Sequence, residues 1–130
     1  MSVYDERMKR GLEIMEKLGR GGRNQYQKEL YPDWYELTVG HLFGEIWARP
    51  HLNLRDRSLI TLAANIALIR PYGAKSHYVS AQHVGITKEE IMELIIHVGT
   101  HAGWEAMAIA ARQFSEVLKE EAEKAKKSIK

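Results

Sequence analysis

Apolar side chains recur every three or four residues along most of the chain, the interval that gathers them on one face of an α-helix. Met8, Leu12, Met15 and Leu18 form the first such series. Ser2 and Asp5 precede it as a capping pair, in which a hydroxyl accepts from an early backbone N–H. Gly19, Gly21 and Gly22 end it. The run Gly19-Arg20-Gly21-Gly22-Arg23 follows no apolar strand and lacks Walker spacing, so it reads as a connector and not as a phosphate cradle. Residues 24–32 form a polar connection with room for a short helical turn. From Asp33 a second helix carries Leu37, Phe43, Ile46 and Trp47, sets His41 and Glu45 one turn apart, and closes at Pro50.

The pattern then changes. Asn53 caps a helix with Asp56 in its first turn, where orphan backbone N–H groups favour negative charge. From Leu59 to Ile69 nearly every position is apolar, except Thr61 and Asn65, which extend a polar stripe from Ser58. A helix apolar on almost all sides is expected to be buried all round, by a central position or by another subunit. Pro71-Tyr72-Gly73 breaks it, and a helix with His77, Ala81 and Val84 resumes at Ala74 until Gly85, a left-handed cap. Thr87 and Glu90 form a capping box for a helix that buries Ile91, Leu94, Ile95 and Val98. Gly99 and Gly103 flank His101 and loosen that region. The last helix lines up Met107, Ala110, Phe114, Val117 and Leu118. No stretch alternates polar and apolar residues with hairpin signals, so the expected fold is all-α, with six or seven helices.

Composition narrows the chemistry. At 130 residues the chain fits one domain, with a core over residues 10–118 and a helical tail over 119–130 that mixes three Glu with five Lys. A net charge of +2 sets up no strong field for nucleic acid or an anionic membrane. The absence of cysteine rules out disulfides, thiolate nucleophiles and CxxC redox chemistry. No apolar run reaches the roughly 18 residues of a membrane span, and residues 1–9 lack the apolar core of a signal peptide. The expected location is the cytoplasm.

Candidate chemistry gathers between Trp47 and Gly85. His77 follows the Pro/Gly break on a helix expected to pack against the apolar one. Periodicity alone makes it a hydrogen-bonded packing residue, although its imidazole is also poised for proton transfer near neutral pH. Arg49, Arg55 and Arg57 flank the start of the apolar helix, either as solvated charges around Asp56 or as guanidinium forks for a carboxylate. Trp47 and Trp104 read as core or subunit-interface residues, and His51 and His83 as surface or cap residues. His97 and His101 stand one turn apart, a spacing that can chelate a metal, but no HExxH or nearby acidic ligand accompanies them.

Four segments resemble the carboxymuconolactone decarboxylase family. Gly44-Glu45-Ile46-Trp47-Ala48-Arg49-Pro50 resembles its GxxWxRPGL segment, and Leu54 to Ala63 its RxRSLxTxAA helix. His77 followed by Gly85-Ile86-Thr87-Lys88-Glu89-Glu90-Ile91 is similar to its HxxxAxxxGxTxEEI signature. His101-Ala102-Gly103-Trp104-Glu105-Ala106 stands where the family writes YAGxPxA. The resemblance implies a compact alkylhydroperoxidase-D-like all-α domain that assembles as a homotrimer or homohexamer, with sites near subunit contacts. It also implies a carboxy-lyase of aromatic degradation that decarboxylates 4-carboxymuconolactone without metal or organic cofactor. The peroxidase branch places a CxxC where this chain has Arg70 and Gly73, so thiol peroxidase chemistry is excluded.

In that frame His77 is the expected proton donor. Arg49 and Arg57 would hold carboxylates, with Trp47, Asn65, His101, Trp104 and Glu105 as further substrate-binding residues. The sequence departs from the family pattern where an acid and a leucine usually precede the histidine, here Gly73 and Ala74. His101 and Glu105 replace the usual tyrosine and proline, and either can compensate from the following helix. Two other readings stand beside the lyase: a paralogue acting without cofactor on another small lactone or keto acid, and a non-catalytic oligomeric binding protein. A metal hydrolase built on His97 and His101 is a third.

Overall fold

A computed structural model describes residues 2–70 and 74–128. Among these residues the chain forms seven α-helices and one π-helical segment, with no strand. The helices are α1 (Val3–Lys17), α2 (Gln25–Leu30), α3 (Pro32–Glu36), α4 (Leu54–Ala67), α5 (Ala74–His83), α6 (Lys88–Ala102) and α7 (Trp104–Ser128). The π-helical segment, Leu37–Trp47, continues directly from α3. The expected Pro71-Tyr72-Gly73 break lies outside the described residues. The chain divides into two compact units, Met1–Arg57 and Ser58–Lys130, with the division inside α4.

In the first unit, α1 begins as the Ser2/Asp5 pair requires. The Ser2 hydroxyl accepts from the Asp5 amide at 3.1 Å, and the Asp5 carboxylate accepts from the Ser2 amide at 3.4 Å. The connector holds α2, longer than the single turn expected. Pro32 opens α3 at its first position, where the missing N–H costs nothing. The helix expected from Asp33 to Pro50 proves to be α3 plus the π segment, ending at Trp47.

The π segment and α1 meet backbone to backbone. A Cβ on Gly11 would strike the Val39 carbonyl, and one on Gly44 would strike the Arg7 carbonyl. A Cβ on Gly40 would lie 2.9 Å from Arg7 Nε and 3.1 Å from Met8 Sδ. Three glycines therefore permit a crossing closer than side chains allow. Met15, Leu18, Val39 and Phe43 are buried in this unit, and Arg20 lies 5.7 Å over the Phe43 ring. Burial pushes the Arg20 guanidinium down to about 10. Arg7 and His41 both reach Glu45, at 3.2 and 3.1 Å. Their hydrogen bonds, that of His41 first, hold the Glu45 carboxyl below its usual range.

The second unit is built on Tyr78. Its ring stacks on Phe114 at 5.3 Å and is fully buried among Leu62, Ile66, Ala81, Ile91, Ile95, Ala110 and Val117. Lys75 bonds Glu116 and Glu120 at 2.8 and 3.0 Å, and Gln82 donates to Glu121 at 3.0 Å, so one face of α5 is fixed along α7. The Thr87/Glu90 capping box is formed, with both bonds near 3 Å. Gly85 and Gly103 adopt φ of +88° and +120°, as turn positions require. A Cβ on Gly99 would strike the Met107 side chain, so the close packing of α6 on α7 explains that glycine better than a kink does.

Of the two ways of burying α4, a central position within the chain is not observed: Ser58, Leu62 and Ile66 are buried, while Ile60 is 54 % exposed, which leaves burial by another subunit as the expectation. The helix also ends at Ala67, and Leu68 and Ile69 beyond it are 62 % and 43 % exposed. Ile69 takes φ +53°, costly for a β-branched residue, while the Arg70 amide donates back to the Asn65 carbonyl at 3.1 Å. Leucine, isoleucine and alanine fill the sequence here, but among the described residues of one chain the buried positions of α4, Ser58, Leu62 and Ile66, share one face.

Two outcomes follow from these packings. Gly11→Ala should cost about 1–3 kcal/mol, because the Val39 carbonyl has nowhere to go; urea denaturation measures it. Burial pushes the Tyr78 phenol up from 10.0 to about 12. A raised folded-state value means stability is intact below 10.0 and falls as pH climbs towards about 12, since only the unfolded chain ionises in that window. Melting curves across that window should fall less steeply in Tyr78→Phe.

Candidate functional site

The first unit carries a cleft of about 400 Å³. Helix α1 contributes Arg10, Glu13, Ile14 and Lys17; the end of the π segment and the following loop contribute Trp47, Ala48, Arg49, Leu52, Asn53 and Leu54. That volume suits a small ligand. Three cations face one carboxylate in this wall, so the cleft favours an anion. Trp47 supplies a half-buried apolar surface and is held 5.8 Å from the Phe43 ring. Arg10 is oriented by its own bond, Nε donating to the Gly44 carbonyl at 3.1 Å. The three glycines that bring α1 onto the π segment thus also set the walls of the cleft.

Two donors of Arg57, expected as a carboxylate fork, are spent on backbone. Its Nε donates to the Leu52 carbonyl at 3.1 Å and its Nη2 to the Arg49 carbonyl at 2.9 Å. These two bonds bracket His51, which takes φ +84°. A non-glycine residue in that region is strained, and the family pattern GxxWxRPGL has glycine at this place. Arg57 therefore pins the loop that presents Arg49, and a bidentate planar fork suits that task. Asn53 begins α4 as expected, its Oδ1 accepting from the Asp56 amide at 2.7 Å.

The remaining candidates belong to the second unit. His77 is half-buried one turn into α5, on the helix face that it shares with Ser80, Ala81 and Val84. Ser58 is 3 % exposed, and its hydroxyl has no protein partner. Such a group costs roughly 1–3 kcal/mol unless something else satisfies it. Asn65 donates its side-chain amide back to the Thr61 carbonyl at 2.8 Å, so part of the polar stripe is spent on α4 itself.

His101 lines a second cleft, of about 630 Å³, with His97, Val98 and Ala102 of α6 and Ala63, Ala64 and Ala67 of α4. Trp104 is 76 % exposed and Glu105 is exposed. Neither lines this cleft, and the core alternative for Trp104 is excluded. Among the described residues no three His, Cys, Asp or Glu side chains cluster as a metal site, and no helix is long and apolar enough to cross a membrane.

Sequence reasoning missed Arg10, Glu13 and Lys17 as cleft residues. They stand on the polar face of an amphipathic helix, where nothing but a partner surface distinguishes a wall from a solvated side. It also missed the strain at His51, although the quoted family pattern, with glycine there, carried the signal.

Comparison with known proteins gives concordant matches. Residues 32–116 match the model of the carboxymuconolactone decarboxylase family. A 4-carboxymuconolactone decarboxylase of Acinetobacter baylyi is 34 % identical over 120 residues, which span 89 % of this chain and 90 % of that protein. A nitrosuccinic acid decarboxylase of Metarhizium robertsii is 29 % identical over 87 residues, 64 % of this chain and 61 % of that protein.

The loop geometry has a direct consequence. His51→Gly should stabilise the protein by about 1 kcal/mol through relief of the left-handed strain, whereas Arg57→Ala should speed amide exchange over residues 48–53. Hydrogen-exchange mass spectrometry and thermal melts read both effects.

Proposed function

The chain belongs to the carboxymuconolactone decarboxylase family, and from that premise we propose that it is a cofactor-independent carboxy-lyase acting on a small carboxylated lactone such as 4-carboxymuconolactone. The observation that carries this reading is the cationic cleft of the first unit, which Arg10, Lys17 and Arg49 line together with the indole of Trp47. A small, flat, multiply charged acid needs those features: cations for its carboxylates and an apolar wall for its ring.

Decarboxylation breaks the bond between carbon and the departing CO2 and leaves its electron pair on the carbon. Conjugation into the lactone carbonyl spreads that charge to oxygen, and a proton must then reach carbon. We assign the proton to His77, since an imidazole is suited to general acid work near neutral pH. On the first unit, taken by itself, Arg49 is suited to a carboxylate and Trp47 to an apolar ring. The Ser58 hydroxyl, buried without a protein partner, is suited to a substrate oxygen or a water. His101, Trp104 and Glu105 remain substrate-binding candidates of the second unit, and Asn65 a weaker one, because its amide is committed to Thr61.

A homotrimer or homohexamer forms part of the same reading. Ile60, Leu68 and Trp104, at 54 %, 62 % and 76 % exposed, are large apolar groups that a subunit contact would cover. The cytoplasm is the proposed location. A paralogue with another acid as substrate is the second reading. The two relatives support it because their names give different acids, as do the departures at His51, His101 and Glu105.

Spectrophotometric turnover of 4-carboxymuconolactone tests the proposal. The wild-type protein should consume it, His77→Ala should lower kcat by about 10²–10⁴, and Arg49→Ala should raise KM more than it lowers kcat. Full activity in His77→Ala would sink the proton-donor assignment. Turnover of nitrosuccinic acid but not of the lactone would favour the paralogue, and turnover of neither the binding protein.

A further inference from the structure

The second cleft sets His101, a substrate-binding candidate, beside His97, to which the decarboxylation gives no role. His97 and His101 stand one turn apart near the C-terminal end of α6, both exposed, with ring centroids 4.9 Å apart and planes inclined by 36°. His101 Nδ1 lies 3.0 Å from the His97 carbonyl. A carbonyl oxygen only accepts, so Nδ1 carries the proton in that bond, and in the neutral ring Nε2 keeps its lone pair. Metal-ligating histidines are fixed in this way, the second ring N–H held by a carbonyl.

We propose that His97 and His101 form a two-histidine site for a borderline first-row divalent cation, of the class of Cu2+, Ni2+ or Zn2+. The ring separation is compatible with such an ion. With nitrogen at about 2.0–2.1 Å, the ion sits roughly 3 Å from each ring centre. Tetrahedral to right-angled coordination then places the two centres roughly 4.4–5.1 Å apart. The observed 4.9 Å needs no rearrangement of the helix. Imidazole nitrogen selects these ions over Mg2+ or Ca2+, which prefer oxygen.

The end of α6 adds its own attraction. His101 stands in the last turn, where unpaired carbonyls concentrate negative potential. The cleft of about 630 Å³ beside the pair is lined by Ala63, Ala64, Ala67 and Ala102. These short side chains leave room for water or an added carboxylate to complete the coordination. Because no third protein ligand joins the pair among the described residues, the site is an open, exchangeable one and not a structural zinc centre.

The test uses the untagged full chain, stripped of metal by dialysis and titrated with Cu2+ in a calorimeter, with electron paramagnetic resonance of the same samples. A single saturable Cu2+ site per chain with imidazole nitrogen couplings is the expected result. His97→Gln and His101→Gln should each weaken binding by at least the roughly tenfold that even an outer-shell loss costs, with helical circular dichroism unchanged because both side chains are exposed. His51→Gln and His83→Gln should bind as the wild type does. Absence of saturable binding, or full affinity in either the His97 or the His101 variant, would overturn the proposal.

Discussion

Direct backbone contact between α1 and the π segment is the constraint on which the first unit depends. Gly11, Gly40 and Gly44 make it possible, and each would meet the opposing element if it carried a Cβ. Contact this close accompanies the burial of Val39, Phe43, Met15 and Leu18, and it sets the spacing of Arg10 and Lys17 from Trp47 and Arg49. Helix packing usually places axes 8–10 Å apart, according to the side chains between them. Glycines remove that spacer, so the packing and the width of the cleft are one problem with one solution. A cleft built this way has fixed walls, because its opposite sides belong to elements that share backbone contacts.

The loop that closes the cleft is rigid for another reason. Arg57 spends two donors on the carbonyls either side of a strained His51. Strain of this kind persists only when its surroundings over-determine it. Sequence reasoning gave Arg57 the chemistry of substrate recognition, and two donors of the same planar fork bond the backbone. Arg49, two residues before His51, presents its carbonyl to Arg57 and lines the cleft. One arginine holds the loop, and the other lines the cleft.

Helix ends were legible in the residues because capping is local. Ser2 with Asp5 and Thr87 with Glu90 each satisfy their bonds within four residues, and no distant part of the chain can alter that. The core faces of α6 and α7 were legible too, as Ile91, Ile95, Ala110, Phe114 and Val117 all follow the helical interval and are buried. What the residues did not disclose is non-local. The apolar run of α4 fits full burial, yet hydrophobicity states only that a surface prefers a partner, not which molecule supplies it. The π winding of Leu37–Trp47 has a sequence period that does not separate it from an α-helix. Likewise Arg10 and Lys17 look like any solvated face until the opposite wall is present.

The candidate site shows the same division. His77 lies on a helix whose position is set by Tyr78 on Phe114 and by Lys75 between Glu116 and Glu120. Those contacts fix the helix through neighbours of the histidine and leave the imidazole itself outside the packing core. Periodicity treats a histidine at such a place as packing, since it sees only the face and not what the face adjoins. The resemblance supplied the chemical role, and the half-buried position is compatible with it: buried enough to be oriented, yet open enough to exchange a proton. The second histidine cluster differs in kind. His97 and His101 are exposed, and the 4.9 Å between their rings is a property of one helix. A site whose geometry is local can arise or vanish without disturbing the fold, whereas one shaped by crossing backbones cannot.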